Sequence, residues 1–302
     1  CTPTLSAPSA KAGRASNSNK MNIAVATEAK MLNARIVRVM VGVGSILRES
    51  NRLRRGIKKR KLRHMRYVIF GAGRVGANIA AYLRHLGHDV DVILRRTALS
   101  DKATCRELID TANVVAAAVP DSAIAAWFEE WRDEIGDCEA IHFSGAMTIE
   151  AMSAYHPLYS FPRSVIELAT FEQIGFACSE YAPAFSEIFP GAPNPNFRVK
   201  EKDRAFYHAL AVVSGNLPAY MWNKSMPAVE RFAGAKAGDV MSVYLQSLVD
   251  RFQEAPSDSL TGPIARRDAA TVASNLAALE NGLELKALYE TFLRVAWPNY
   301  PD

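Results

Sequence analysis

The sequence is poor in the residues that mark several common classes of protein. Four cysteines occur in 302 residues, and their wide spacing fits neither a disulfide framework nor a metal site. We therefore expect reduced thiols, a cytoplasmic location and no bound metal. Apolar runs are also short. A helix needs ~20 apolar residues to cross a bilayer, and the longest such run is interrupted by Arg35, Arg38 and Arg48. No membrane span is expected.

Acidic side chains are scarce at the start of the chain. Residues 1–64 hold two glutamates against fifteen lysines and arginines, which leaves 29 acidic and 21 basic side chains for residues 65–302. The basic character therefore belongs to this leader, and we expect no nucleic-acid binding by the folded body. The leader, expected to be disordered or outside the mature fold, has three interpretations: a transit peptide, a basic arm, or sequence translated ahead of a true start at Met65. Met65 lies just before the first predicted strand, which favours the third.

From Met65 onward, short β-rich runs alternate with amphipathic segments. Strands are predicted at residues 66–70, 89–94, 113–120 and 139–145, and helices at residues 73–86 and 121–135. This order predicts a parallel sheet covered by helices on both faces. Either Asp121 or Ser122 suits the N-cap of the second helix.

After about residue 200 the strand signal stops. Helical patterns cover residues 203–222, 226–254, 263–280 and 282–295. Pro218 predicts a kink in the first of them. A loop rich in proline and asparagine and a last short strand come just before, ending near Val199. We therefore predict an α/β domain over residues 65–200 and an all-helical domain over residues 201–302.

Three glycines follow the first predicted strand in the stretch "YVIFGAGRVGANIAAYLRH", residues 67–85. Between a strand and a helix, the pattern G-x-G-x-x-G indicates a dinucleotide-binding turn. Its glycines allow a tight turn, close approach of the backbone to a diphosphate, and close packing of helix on strand, while the helix N-terminus offers free N–H groups to the phosphates. The pattern thus predicts a Rossmann-type doubly wound sheet, with a cofactor-binding turn made of Gly71, Ala72, Gly73, Arg74, Val75 and Gly76.

The end of the second predicted strand favours NADP(H) over NAD(H). An NAD site has a carboxylate there to accept hydrogen bonds from the ribose, whereas this chain has Leu94 followed by Arg95 and Arg96. An arginine can pair with the 2′-phosphate through its planar fork, and Arg95 is the first choice. The alternative is that one of the two arginines only faces solvent.

Later strands of such a sheet end at the same crevice. The residues that follow the next two strands are therefore predicted to lie beside the cofactor: Val119, Pro120, Asp121, Ser144 and Gly145. For Asp121, a role in capping its helix is an equal alternative.

With these residues identified, the body resembles a family of predicted oxidoreductases that join a Rossmann domain to a helical C-terminal domain of unknown function. Their relatives are pyrroline-5-carboxylate reductase, ketopantoate reductase and the β-hydroxyacid dehydrogenases. The resemblance covers nearly all of residues 65–302. It is carried by "VIFGAGRVG", "AAAVPDSAI", "IHFSGAMTIEAM", "HPLYSFP", "YHALAVVSGN" and "LTGPIARRDAATVASNL". This chain departs from the family pattern at Arg267, where the family has Gly, and at Asn275, where it has His.

The resemblance implies hydride transfer from a nicotinamide cofactor to a small carbonyl or imine compound bound between the two domains. Some members resemble stand-ins for ketopantoate reductase. Helical reductases of that type place a proton donor and amide side chains on the helix that carries His208 and Asn216 here. We therefore expect His208 to donate the proton and Asn216 to orient the substrate, with small Ser214 leaving room between them; a histidine satisfied inside a helix bundle is the alternative.

Three further residues are candidates for the same site. His156 is expected in a loop after the sheet region, facing the crevice or without a catalytic role. Thr261 and Arg266 flank a predicted helix start at Pro263, an end that suits a substrate carboxylate. Asp268 is expected to pair with a neighbouring arginine, accept N–H bonds of the first turn, or be purely structural.

Together these observations predict an NADPH-dependent reductase of a small oxo acid, with ketopantoate as one candidate, that forms a homodimer through residues 239–253 and 272–294. Three alternatives remain open. The first is an imine reductase of the pyrroline-5-carboxylate type. The second is a non-catalytic NADP-binding module, because the fold alone does not prove chemistry. A nucleic-acid binder acting through the basic leader is a third.

Overall fold

The computed structural model describes residues 63–301. The predicted basic leader, apart from its last two residues, lies outside this range. Seven strands form one sheet: β1 Arg66–Phe70, β2 Asp89–Ile93, β3 Val114–Ala117, β4 Glu139–His142, β5 Ser153–Pro157, β6 Phe176–Ser179 and β7 Asn196–Val199. The first four are the predicted strands, β1 with the predicted bounds and the other three shorter than predicted; β5 and β6 were not predicted.

The sheet has the strand order β2-β1-β3-β4-β5-β6-β7. All neighbouring pairs are parallel except β5 and β6, which are antiparallel. The order reverses at β1, because the chain leaves it for β2 on one side and returns to β3 on the other. In open α/β sheets, ligands bind at this point, beyond the carboxyl ends of the strands.

Helices and short helical turns cover both faces of the sheet. The helices of this half are α1 Arg74–His85, α2 Arg95–Ser100, α3 Lys102–Asp110, α4 Asp121–Ile135, α5 Leu168–Phe171 and α6 Phe185–Ile188. Alternating residues of β1 belong to two separate hydrophobic cores. Tyr67 and Ile69 are buried on the side of the sheet that α1 covers, and Val68 and Phe70 on the side that α4 covers. This alternation explains why the strand is apolar throughout: both of its sides are buried.

The second half of the described chain is helical, as predicted. It comprises α7 Arg204–Ala211, a π-helical turn Val212–Asn216, α8 Leu217–Ala233, α9 Ala237–Glu254, α10 Pro263–Arg266, α11 Ala269–Ala278 and α12 Leu283–Ala296. Few of its side chains are buried. A small core of Ile264, Val272 and Leu293 holds the last three helices together, while α8 buries none of its residues completely.

Several helix boundaries differ from those predicted. Helix α8 runs through residues 223–225, where a break was expected, and the break comes instead at Gly234, whose φ of 55° ends the helix. The predicted helix 263–280 is divided at Arg267, which has a left-handed φ of 59°. Asp268 then caps α11 by accepting the N–H of Thr271, which is the first-turn N–H bond considered as one alternative for it. The position of Arg267 is one at which glycine is favoured.

Candidate functional site

The glycine turn lies at the reversal of strand order. Gly71 has a φ of 108°, which favours glycine, and its N–H donates to the carbonyl of Ile93 at the end of β2 (2.9 Å). A Cβ on Gly71 would collide with the carbonyl of Ala118, and a Cβ on Gly76 would collide with the carbonyl of Gly71. The segments after β1 and β3 and the first turn of α1 therefore touch through bare backbone.

Gly73 differs from its two neighbours in the motif. A Cβ at this position would meet nothing within 4 Å, so packing within the protein does not require a glycine here. Gly73 is the N-cap of α1, and no side chain caps this helix. The N–H groups at the positive end of this helix dipole are therefore without a side-chain cap, and the space beside Gly73 is open. These residues fit the diphosphate of a dinucleotide, which needs close access to main-chain amides.

Arg95 and Arg96 lie one strand away from this turn. They follow β2 directly and form the first turn of α2, whose N-cap is Leu94. Both are exposed. Among the described residues neither side chain makes an ion pair or a hydrogen bond to the protein, so both guanidinium groups are available to a ligand.

Asp121 joins the ends of β3 and β4. Its carboxylate accepts a hydrogen bond from the hydroxyl of Ser144 (2.7 Å), which in turn accepts the N–H groups of Ala146 (3.3 Å) and Met147 (3.1 Å). The prediction that Asp121 or Ser122 caps α4 is wrong: the N-cap is Pro120, without a side-chain cap. The carboxylate instead binds the turn after β4, because that turn supplies a hydroxyl donor.

Gly145 lies between two histidines that the sequence places 52 residues apart. A Cβ on Gly145 would lie 2.8 Å from Cδ2 of His208 and 3.1 Å from the ring of His156. The two rings are nearly perpendicular, with centroids 6.2 Å apart. His156 lies within β5, not in a loop as predicted. Because β4 and β5 are parallel with His142 opposite Ala154, His156 stands at the level of Ser144, at the carboxyl edge of the sheet.

The histidines near this turn lie in a poorly solvated environment. Burial, followed by the positive charge of Arg204, lowers the pKa of His142 to about 4. Burial, followed by His208 and Arg204, lowers the pKa of His156 to about 4; Asp121 opposes both shifts. Both side chains are therefore neutral at pH 7. Nδ1 of His142 accepts the N–H of Ser144 (3.3 Å), so its proton lies on Nε2.

Sequence reasoning missed two residues of this site. Arg204 is buried and donates to the carbonyls of Ser144 and Met147. The hydroxyl of Tyr207 shares a hydrogen bond of 2.9 Å with Nδ1 of His156. Burial raises the pKa of Tyr207, so its hydroxyl keeps its proton. The only signal in the sequence was the spacing Arg204–Tyr207–His208, which places three polar groups within little more than one helical turn.

The residues predicted to follow His208 along its helix lie in the π-helical turn. Ser214 and Asn216 are both exposed and belong to the segment Val212–Asn216. His208 and Asn216 were expected to act from one helix, but the α-helical spacing between them does not hold across this turn. Their joint role stays a prediction. Single π turns inside α-helices are frequent at functional sites.

Thr261 and Arg266 are not brought into this cluster by any described contact. Both are exposed. The helix between them, α10, has four residues, and its N-cap is Gly262, so Thr261 lies one residue before the cap. The neighbouring Arg267 donates to the carbonyl of Ala296 and stacks over Trp297, which ties this segment to α12. Their binding of a substrate carboxylate stays a prediction.

Neither a membrane-spanning helix nor a metal-binding cluster occurs among the described residues. No helix in residues 63–301 combines the length and the apolar character that crossing a membrane requires. No group of three or more His, Cys, Asp or Glu side chains in the same residues is arranged to hold a metal ion.

Part of the chain matches the model of a protein family. Residues 177–295 match "domain of unknown function (DUF2520)". The match begins in β6 and extends through most of the helical half. No curated protein matches the chain.

Solved structures share the fold at low identity. The Bacteroides fragilis protein named "putative NADP oxidoreductase BF3122" is 20% identical, with a TM-score of 0.61 over 78% of this chain and 99% of that one. Protein TM1727 from Thermotoga maritima is 19% identical, with a TM-score of 0.57 over 76% and 96%. Pyrroline carboxylate reductase from Plasmodium falciparum, solved with NADP bound, is 10% identical, with a TM-score of 0.50 over 78% and 96%. The predicted fold, a Rossmann-type sheet followed by a helical C-terminal region, is confirmed.

Proposed function

We propose that this chain is an NADPH-dependent reductase that transfers a hydride to a small oxo acid. The observation that carries the proposal is a continuous row of groups along the carboxyl edge of the sheet. It begins at the glycine turn after β1, continues through Ala118 and Asp121 after β3 and the Ser144–Met147 turn after β4, and ends at His156 and His208. This row has the order that an extended dinucleotide with a reacting end needs.

The first half of the row suits the adenosine and diphosphate part of the cofactor. The main-chain amides at the start of α1 bind the diphosphate beside Gly73, and Arg95 or Arg96 pairs with the 2′-phosphate. The absence of a carboxylate after β2 supports NADP(H) over NAD(H). We also propose that the chain divides near residue 200 into this cofactor-binding α/β domain and a helical domain.

The second half of the row suits the nicotinamide and the substrate. When bound, the reduced nicotinamide supplies the hydride. Reduction of a carbonyl also needs a proton for the oxygen, and His208 is the candidate donor beside Gly145. His156 is neutral, and its hydrogen bond with Tyr207 fixes the orientation of its ring. It therefore lines the site without donating the proton itself. Asn216, Ser214, Thr261 and Arg266 complete the proposed substrate site. Ketopantoate is one candidate substrate.

An imine reductase of the pyrroline-5-carboxylate type is the second candidate. The likeness of the fold to pyrroline carboxylate reductase from Plasmodium falciparum favours it. A non-catalytic NADP-binding module remains the alternative of a different class.

The test follows NADPH absorbance with a panel of 2-oxo acids that includes ketopantoate, and with pyrroline-5-carboxylate. We expect oxidation of NADPH with at least one oxo acid. Turnover of the imine alone would favour the second candidate, and binding of NADPH without any turnover would favour the binding module. A protein that binds neither NADPH nor NADH would refute all three.

A pair of variants tests the proton donor on any substrate that is turned over. Loss of a general acid costs roughly 100-fold or more in rate, so His208→Ala is expected to lower kcat by that order. The matched control is His85→Ala, an exposed histidine at the end of α1, which should retain full turnover. Full turnover by His208→Ala would remove His208 from the mechanism.

We further propose a homodimer formed through α9 and the segment 272–294. Large apolar side chains stand exposed along α9, among them Val240, Val243, Tyr244 and Phe252. Contiguous apolar surface of this kind is rare on monomers and is typical of surfaces that associate. A second copy would bury it, since most oligomers of one chain are closed by a two-fold axis.

A further inference from the structure

Among the described residues, Arg204 is the one Lys, Arg, Asp or Glu side chain that is buried; 1% of its surface is exposed. A charge removed from water is normally paired with an opposite charge, because the desolvation cost is several kcal/mol. No carboxylate in residues 63–301 forms an ion pair with Arg204. Its Nη1 has no hydrogen-bond partner in the same residues. Since an apolar side chain would be less costly here, stability alone does not explain this arginine.

The guanidinium of Arg204 binds the two ends of one short turn. Nη2 donates to the carbonyl of Ser144 (2.8 Å), and Nε donates to the carbonyl of Met147 (3.2 Å). The turn is closed from the inside by the Ser144 hydroxyl, which accepts two N–H groups and donates to Asp121. The rigid fork of arginine matches two carbonyls at a fixed separation, which the single ammonium of lysine cannot do.

The same face of α7 carries the candidate proton donor. Arg204 and His208 are four residues apart, so they lie on one side of the helix. Gly145 lies in the middle of the bound turn, where a Cβ would collide with the ring of His208 and crowd that of His156. The two hydrogen bonds from Arg204 to the turn therefore set the distance between His208 and Gly145.

We propose that Arg204 is a positioning residue that fixes the Ser144–Met147 turn to α7 and thereby sets His208 and His156 beside Gly145. The role in the reaction depends on the proposed reductase function; the arrangement itself does not. His156 is faced by Tyr207, His208 and Arg204 from α7 and by Asp121 from α4. Of these groups, Arg204 supplies a fixed positive charge that disfavours protonation of His156.

Two variants separate the geometry of Arg204 from its charge. Arg204→Lys keeps the charge and loses the fork; Arg204→Met loses both. The first readout is the NMR titration of the His156 ring protons, assigned with His156→Gln, which needs neither cofactor nor substrate. The second is kcat and KM for NADPH oxidation. The control is Arg198→Lys, since Arg198 also binds a set of carbonyls, in the loop after β6 and away from the histidines.

In Arg204→Met we expect the pKa of His156 to rise, because a neighbouring cation has been removed. In Arg204→Lys we expect an unchanged titration of His156 and a kcat lowered by roughly 100-fold, with a smaller change in KM, because the reacting groups are misplaced. Arg198→Lys should change neither. A wild-type kcat in Arg204→Lys, or a wild-type titration in folded Arg204→Met, overturns the proposal.

If Arg204→Met does not fold, Arg204→Lys decides the matter by itself: lowered kcat with an unchanged titration supports the positioning role, and unchanged kcat refutes it. If the wild type oxidises no NADPH with any substrate, the proposed function fails. The titration still reports whether Arg204 controls the surroundings of His156.

Discussion

The carbonyl oxygen of Ala118 occupies the place that a Cβ on Gly71 would need. The chain after β1 and the chain after β3 are therefore in direct backbone contact at the point where the strand order reverses. Gly76 adds a second contact of this kind, since its missing Cβ makes room for the carbonyl of Gly71 and the side chain of Ala118. Two glycines of the motif are thus required by packing, while Gly73 is not.

This difference gives the first prediction. Gly76→Ala should be destabilised by about 1–3 kcal/mol, the usual cost of overpacking, and should lose NADPH binding with it. Gly73→Ala should unfold at the wild-type temperature yet bind NADPH at least ~10-fold more weakly, because its methyl group occupies the space proposed for the diphosphate. Thermal unfolding and calorimetric titration give the two quantities.

The control for these variants is Gly238→Ala, a glycine in α9 with no neighbour within 4 Å of its missing Cβ. It should match the wild type in affinity for NADPH. Undiminished binding by folded Gly73→Ala would mean that no diphosphate lies at the start of α1.

The second prediction concerns the choice of cofactor. Replacing both Arg95 and Arg96 with alanine should weaken NADPH binding by roughly 10- to 100-fold, because hydrogen bonds between charged partners contribute about 1.5–3 kcal/mol. Binding of NADH should change much less, since NADH lacks the 2′-phosphate. The measurement is the ratio of the dissociation constants for NADPH and for NADH. The binding of NADH to the same variant serves as the control. An unchanged ratio would show that these arginines only face solvent.

The third prediction is a loss of stability in mild acid. His142 and His156 have pKa values near 4 in the folded protein against 6.5 in model compounds. Between pH 6.5 and 4 the unfolded chain therefore takes up protons that the folded chain does not, so the free energy of unfolding falls as the pH falls. One pKa unit corresponds to about 1.4 kcal/mol, which gives a loss of about 2 kcal/mol per histidine by pH 5.

Denaturant unfolding of the wild type and of His156→Gln at pH 7.5 and pH 5 measures this effect. The variant should lose less stability between the two pH values than the wild type does. His85→Gln, which changes an exposed histidine, should lose as much as the wild type. Equal losses in all three proteins would mean that His156 is protonated as easily in the folded state as in the unfolded state.

The fourth prediction tests the proposed dimer by sedimentation velocity. Val243 is 73% exposed and Phe252 57% exposed on α9. Introducing glutamate at both positions should leave a folded monomer, because two charges would be buried without partners at the interface. Tyr181→Glu, at a residue 81% exposed in the loop after β6, should sediment as the wild type. A monomeric wild type would refute the proposed dimer.

The sequence predicted the parts of this fold that depend on local pattern. Helix α4 extends over the predicted residues 121–135 because its apolar positions repeat with helical spacing and Gly136 ends it. Strands β5 and β6 were missed although they are as long as predicted strands, and His156 stands in β5 with a pattern that a loop would also show. The break at Arg267 was hidden because an arginine in the left-handed conformation gives no local signal.

The candidate site likewise has one part that the sequence predicted and another part that it did not. The glycine turn follows from a motif whose residues are adjacent in sequence. Arg204 and Tyr207 act on residues more than 50 positions away, and such contacts arise only when α7 packs against the carboxyl edge of the sheet. Side-chain contacts of this kind depend on tertiary packing, which no local pattern reports.

The π-helical turn Val212–Asn216 sets the rotational phase between the two halves of one long helix. The first half carries Arg204 and His208, and the second half reaches α12, where Tyr220 and Lys224 bind Glu284. A π turn holds one residue more than an α-helical turn. A regular α-helix over the same residues 204–233 could not absorb that extra residue in one turn, and its second half would be turned by about 100° relative to the first. One residue in the middle of this helix thus decides which side chains α8 presents to α12.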